Sequence, residues 1–79
     1  MKLPRDVSGD TLIRHLCRNW GYRQVNQVGS HVILVSDTPI HHRLPVPRHN
    51  PLGIGIFKKI LHEVCVAKGI SQAELLRNL

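Results

Sequence analysis

Apolar residues first recur at helical spacing in Leu12, Ile13, Leu16, Cys17 and Trp20, with Arg14, His15 and Arg18 on the other side. That period predicts an amphipathic helix from Gly9 to Trp20 with a basic polar face. Ser8 stands where an N-cap hydroxyl belongs, and Asp10 in the first turn suits the positive end of the helix dipole. Gly21 supplies the stop. The pattern then changes to strands. Tyr22 to Gln27 alternates loosely, Gly29-Ser30 is a turn, and His31-Val32-Ile33-Leu34-Val35 is apolar on both faces, as the middle strand of a sheet would be. After the Asp37-Thr38-Pro39 turn, Ile40 to Val46 reads as a third strand, which Pro45 and Pro47 confine to an edge.

Helical spacing returns after His49-Asn50-Pro51. From about Gly55, the residues Ile56, Phe57, Ile60, Leu61, Val64 and Cys65 form an apolar stripe that ends at Gly69. Ser71-Gln72-Ala73-Glu74 has the spacing of a capping box, opening a last helical turn at Leu75 and Leu76. The predicted fold is α+β in the order α-β-β-β-α: a three-stranded antiparallel meander with the helices on one face, plus a C-terminal helical cap. Residues 1–79 read as one domain without repeat or linker.

Composition narrows the chemistry. At 79 residues, two Rossmann halves or a barrel do not fit, which excludes most cofactor-dependent enzymes. Two cysteines, Cys17 and Cys65, lie inside predicted helices among apolar neighbours and read as small buried hydrophobes in a reducing compartment. The start lacks the apolar core of a signal peptide, and no apolar run approaches the roughly 20 residues that span a bilayer. The expected location is the cytoplasm, without membrane contact.

Eleven Lys and Arg against five Asp and Glu leave a net charge of +6. The basic residues spread over every element, which points to an anionic partner, nucleic acid first, rather than to one binding face. Three aromatics are too few for stacking single strands on a sheet, whereas contact with an RNA backbone needs only basic side chains and hydroxyls. Asp6, Asp10, Asp37, Glu63 and Glu74 lie in different elements and do not suggest a carboxylate pair. Six histidines raise the question of a metal. His41 and His42 are neighbours on a strand and point apart, and no His-x-x-x-His or Cys-x-x-Cys occurs, so the reading is scattered surface histidines and no metal or cofactor. Gly53-Ile54-Gly55 lacks the Gly-Lys-Ser/Thr ending of a phosphate loop and reads as the start of a helix.

His31 stands out. It follows Gly29-Ser30, so a tight turn holds its imidazole at the lip of the central strand. An imidazole with a pKa near ~6.5 exchanges a proton at neutral pH, as attack of a ribose 2′-OH on the adjacent phosphorus requires. A lone histidine beside a turn is nevertheless more often a polar strand end than a catalyst.

Beyond single residues, the chain resembles the HicA family of bacterial toxins, small RNA-cleaving proteins of type II toxin–antitoxin pairs. The likeness lies in Lys2-Leu3-Pro4-Arg5-Asp6-Val7-Ser8-Gly9 at the start and in Leu16 through Gly21-Tyr22 at the helix end. It continues in the signature Gly29-Ser30-His31, in Val46-Pro47-Arg48-His49, and in Gly55-Ile56-Phe57-Lys58-Lys59-Ile60-Leu61. Ile56 stands where the family often has Thr. The resemblance implies a fold similar to the double-stranded-RNA-binding domain, cleavage of messenger RNA with His31 as the catalytic residue, and a HicB-type antitoxin that covers the site. RNA contacts are expected from Gly29, Ser30, Arg48, His49, Lys58 and Lys59, with no DNA binding by this chain alone. Two rivals stay open: a non-catalytic double-stranded-RNA-binding module, and a protein-interaction domain that docks an acidic partner.

Overall fold

The computed structural model describes residue 4 and residues 6–79. Lys2, Leu3 and Arg5 of the opening motif lie outside the described residues. The elements run α1 (Gly9–Asn19), β1 (Arg23–Val28), β2 (His31–Ser36), β3 (His42–Pro47), α2 (Ile54–Lys68) and α3 (Gln72–Leu76). This is the expected α+β order, with boundaries within two residues of the sequence reading. The three strands form one antiparallel sheet with β2 in the centre.

Alternation along the strands sorts the two faces of the sheet. Val32 and Leu34 of β2 pair with Val46 and Leu44 of β3 and point into the core, where Leu12 and Leu16 of α1, Phe57, Ile60, Leu61 and Val64 of α2, and Leu75 of α3 meet them. Both long helices therefore cover one face. Each such side chain, taken from water, contributes roughly 1.5–3 kcal/mol. Ile33 and Val35 point to the other face yet are only 4% and 7% exposed, flanked on β3 by Pro45 and Arg43. The doubly apolar run thus sits in the centre, as its composition required. All six residues of β1 are exposed, and a register shift between Gln24 and Asn26 marks a bulge in this edge strand.

The caps follow the sequence. Ser8 accepts a hydrogen bond from the Thr11 N–H, and Gly69 ends α2 in the left-handed conformation at φ 66°. Ser71 and Glu74 make both bonds of the capping box. Helix α2 starts after Gly53 without a side-chain cap. Ile56 is the third residue of α2, so the hydroxyl missing there is not an N-cap hydroxyl.

His15 departs from the expectation. Placed with the arginines on the polar face of α1, it is instead 5% exposed, three residues from Leu12 and beside Leu16 on the buried arc. Its Nε2–H donates to the Leu75 carbonyl at 2.6 Å, and its Nδ1 accepts from the Asn19 amide at 3.0 Å. Both ring nitrogens are satisfied, so the imidazole fastens α3 to α1. The reading of six scattered surface histidines is corrected at this position. His41 is exposed as expected, although it precedes β3 rather than lying in it. Both cysteines are free and half-buried against the core, where burial pushes their thiols above the usual range. Among the described residues, no helix is long and apolar enough to cross a membrane.

The first turn of α1 lies directly on the end of β3. The Gly9 N–H donates to the His49 carbonyl at 2.8 Å, and the Leu52 N–H donates to the Val7 carbonyl at 2.8 Å. A Cβ on Gly9 would fall 1.9 Å from the Pro47 oxygen and 2.9 Å from the Arg48 Cα. Both are backbone atoms, so no side chain can move aside. Gly9→Ala should therefore lower stability by about 2 kcal/mol, as overpacked sites do, and the melting temperature of a domain this size by roughly 8–16 °C. Thermal unfolding followed by circular dichroism measures the shift.

Candidate active site

The hairpin between β1 and β2 is closed by Gly29 and Ser30 alone, with Val28 paired to His31. Gly29 has φ 59° at the first central position, where a type II′ turn requires a positive value. Nothing lies within 4 Å of where its Cβ would be, so backbone conformation selects the glycine here and the space beside it is open. The Ser30 carbonyl accepts from the Arg48 N–H at 2.8 Å, which ties the turn to the end of β3. His31 is then held from both sides, opposite Val28 on β1 and Pro47 on β3. Its backbone is fixed and its side chain is exposed.

His31 opens onto a groove of ≈ 720 Å³ along the free edge of β3, where α2 lies against it. Arg43, Pro45 and Pro47 form the β3 wall, on the same side of the sheet as His31. Lys59, Ile56 and His62 project from α2 on the opposite wall. Arg43 and Lys59 are exposed, and neither takes part in an ion pair among the described residues. Two unneutralised cations thus share one groove with an exposed imidazole. That is the arrangement needed to bind an anionic backbone and move a proton beside it. Among the described residues, no three His, Cys, Asp or Glu side chains converge as a metal cluster.

The expected RNA contacts separate in space. Lys59 lines the groove with His31, whereas Arg48, His49 and Lys58, though exposed, do not. Arg48 holds Asp10 through two hydrogen bonds, Nε to Oδ1 at 2.8 Å and an Nη to Oδ2 at 3.3 Å. The hydrogen bond from that guanidinium keeps the Asp10 carboxyl below the usual carboxylate range. Arg48 is therefore engaged in a surface ion pair within the chain. Arg43, not among the expected contacts, lines the groove. The signal for it was present in strand parity, since Arg43, Pro45 and Pro47 share a face opposite Leu44 and Val46.

The groove's far end carries a second polar cluster. Tyr22 Oη donates to His42 Nδ1 at 2.7 Å, with the rings edge-on at 5.8 Å. Lys68 Nζ donates to the Ser36 hydroxyl and to the Thr38 carbonyl, the latter at 2.6 Å, and lies 4.9 Å from the centre of the Tyr22 ring. Burial, aided by Glu63, pushes the Tyr22 hydroxyl up to about 12, so it stays a donor. Ser36 is fully buried, which closes this hydroxyl to any substrate. The cluster joins α2 to the sheet and is structural.

These features define a small basic α+β domain that presents one imidazole on an open cationic groove. A family model described as the HicA toxin of bacterial toxin–antitoxin systems matches residues 9–66, and the chain belongs to that family: it is a toxin of a toxin–antitoxin system. Comparison with curated proteins and with solved structures gave no match.

The partial burial of His42 generates a pH effect with a definite sign. Burial holds the His42 imidazole below its ordinary 6.5, against the pull of Glu63, and Lys68 and His41 add to the lowering. The unfolded chain then takes up a proton at His42 before the folded chain does, so this contribution is complete above about pH 6.5 and is lost as pH falls below it. The melting temperature should drop between about pH 7.5 and 5.5, and the drop should be smaller in His42→Gln.

Proposed function

We propose that the chain is a metal-independent endoribonuclease that cleaves messenger RNA in the cytoplasm, with His31 as its proton-transfer residue. The observation that carries the reading is the exposed His31 imidazole at the lip of the central strand, on a groove that two cations without an ion-pair partner among the described residues also line. Membership of a toxin family supports it.

In this mechanism the RNA backbone lies along the β3 edge, with phosphates near Arg43 and Lys59. His31 takes the proton from a ribose 2′-OH as the oxygen attacks the adjacent phosphorus. The P–O bond to the 5′-oxygen breaks, a 2′,3′-cyclic phosphate forms, and the leaving oxygen takes its proton from solvent. Arg43 and Lys59 stabilise charge growing on the non-bridging oxygens. Ser30 closes the turn, and Gly29 leaves room beside the imidazole for the polymer to approach. Arg48, His49 and Lys58 do not line this groove and are assigned no role in the chemical step.

His31→Ala should lower the cleavage rate by about 10²–10⁴-fold, the usual contribution of general acid–base catalysis. Because the side chain is exposed, circular dichroism and melting temperature should stay at wild-type values. An unchanged cleavage rate overturns the assignment, and salt-sensitive RNA binding by the wild type without products would favour a non-catalytic binding module.

Arg43→Gln should weaken RNA binding and reduce the slope of log affinity against log salt by about 0.7, the value for one single-strand phosphate contact. Lys58→Gln should change that slope less. Titration of a labelled single strand at several salt concentrations measures both.

A further inference from the structure

One group in the groove runs against the chemistry of the rest. Glu63 is the single carboxylate in a lining that also holds Arg43, Lys59 and three histidines. A carboxylate repels the phosphates that the cations attract, so backbone binding gives it no task. Pairing within the chain gives it none either. Lys59 stands one turn before it on α2, yet among the described residues Glu63 makes no ion pair and no side-chain hydrogen bond. Its two oxygens are left as acceptors in a half-buried position.

His42 supplies the complement. Strand pairing sets His31 against Pro47 and Ser36 against His42, so the two histidines mark opposite ends of the groove. Lys68 donates to the Ser36 hydroxyl, which brings the C-terminal half of α2, with Glu63 and Val66, to the His42 end. Glu63 acts electrostatically on both Tyr22 and His42 there. Because Tyr22 Oη donates to His42 Nδ1, the ring hydrogen of the neutral imidazole is on Nε2. That N–H has no partner among the described residues. This end of the groove therefore offers one donor and two acceptors. Ile40 and Val66, 59% and 68% exposed, add aliphatic surface to the same lining.

Unstacked RNA bases are read on their Watson–Crick edges, with the ring held against aromatic or apolar side chains. Guanine presents the O6 acceptor beside two donors, N1–H and the 2-amino group. Adenine, cytosine and uracil each present one donor on that edge and leave a carboxylate oxygen unanswered, which lowers their affinity. We infer that Glu63 and His42 read a guanine base. Glu63 accepts from N1–H and the 2-amino group, His42 Nε2–H donates to O6, and Ile40 and Val66 lie against the ring. The inference rests on the ribonuclease reading for RNA as the ligand, and it adds a register: cleavage at His31 falls at a constant distance from the guanine.

Binding is measured on the full chain carrying His31→Ala, which leaves the RNA intact. The ligands are labelled oligouridylates with one guanosine, or one inosine in its place, followed by fluorescence anisotropy at fixed salt. Inosine keeps O6 and N1–H and lacks only the 2-amino group. The guanosine strand should bind about tenfold tighter, the usual effect of one hydrogen bond to a charged acceptor. Adding Glu63→Gln should bring the two strands within about twofold of each other. This ratio is taken within one protein, so a change in folded fraction cancels from it. With His31 intact, cleavage should fall at one offset from the guanosine, and Glu63→Gln should scatter the cuts while cleavage continues. Equal affinity for the two strands in the His31→Ala chain overturns the inference. A guanosine preference that survives Glu63→Gln overturns it as well. A chain that shows the preference in binding but cuts no RNA sinks the ribonuclease reading and leaves the guanine site standing.

Discussion

The contact between the first turn of α1 and the end of β3 governs the rest of this small fold. With no Cβ on Gly9, helix and strand backbones approach closely enough for the Gly9 N–H to reach the His49 carbonyl. That bond satisfies one of the orphan donors at a helix start, and Ser8 takes care of another. The same approach seats α1 over Val46 and places Asp10 against Arg48. Arg48 in turn donates its backbone N–H to Ser30, so the turn that carries His31 is connected to the helix start through one residue. A single position without a side chain thus couples the helix layer to the lip of the sheet.

Local rules covered most of the fold because the elements are strongly patterned. The doubly apolar β2 announced a central strand, Gly29-Ser30 announced a tight hairpin, and Ser71 with Glu74 announced the last helix. Each rests on neighbours within a few residues. His15 is polar by composition but buried by spacing, because its position three residues after Leu12 lies on the buried arc. Its partner, the Leu75 carbonyl, is 60 residues away, and no local pattern carries that information.

The site shows the same division. His31 was legible because a turn and a strand start fix it locally. The cations around it depend on tertiary pairing. Arg48 looked well placed by sequence proximity to the proline–histidine motif, but a carboxylate 38 residues away claims it. Arg43 looked ordinary until the sheet put it on the same face as His31, opposite Val35 and on the same groove. Basic residues are numerous here, and which of them remain unpaired is decided by the folded arrangement rather than by composition.

The two-residue loop at Gly29-Ser30 has a further consequence. Side chains on β2 alternate between the two faces, so a one-residue slip of β2 against β1 would turn the strand over, sending His31 toward the interior and Val32 to the outer face. Loop tips that face solvent ordinarily tolerate insertions. This tip is held to the end of β3 by the Arg48 N–H on the Ser30 carbonyl and helps fix the phase of the whole middle strand, so it is a poor place to attach a tag or graft a sequence even though the space beside Gly29 is open.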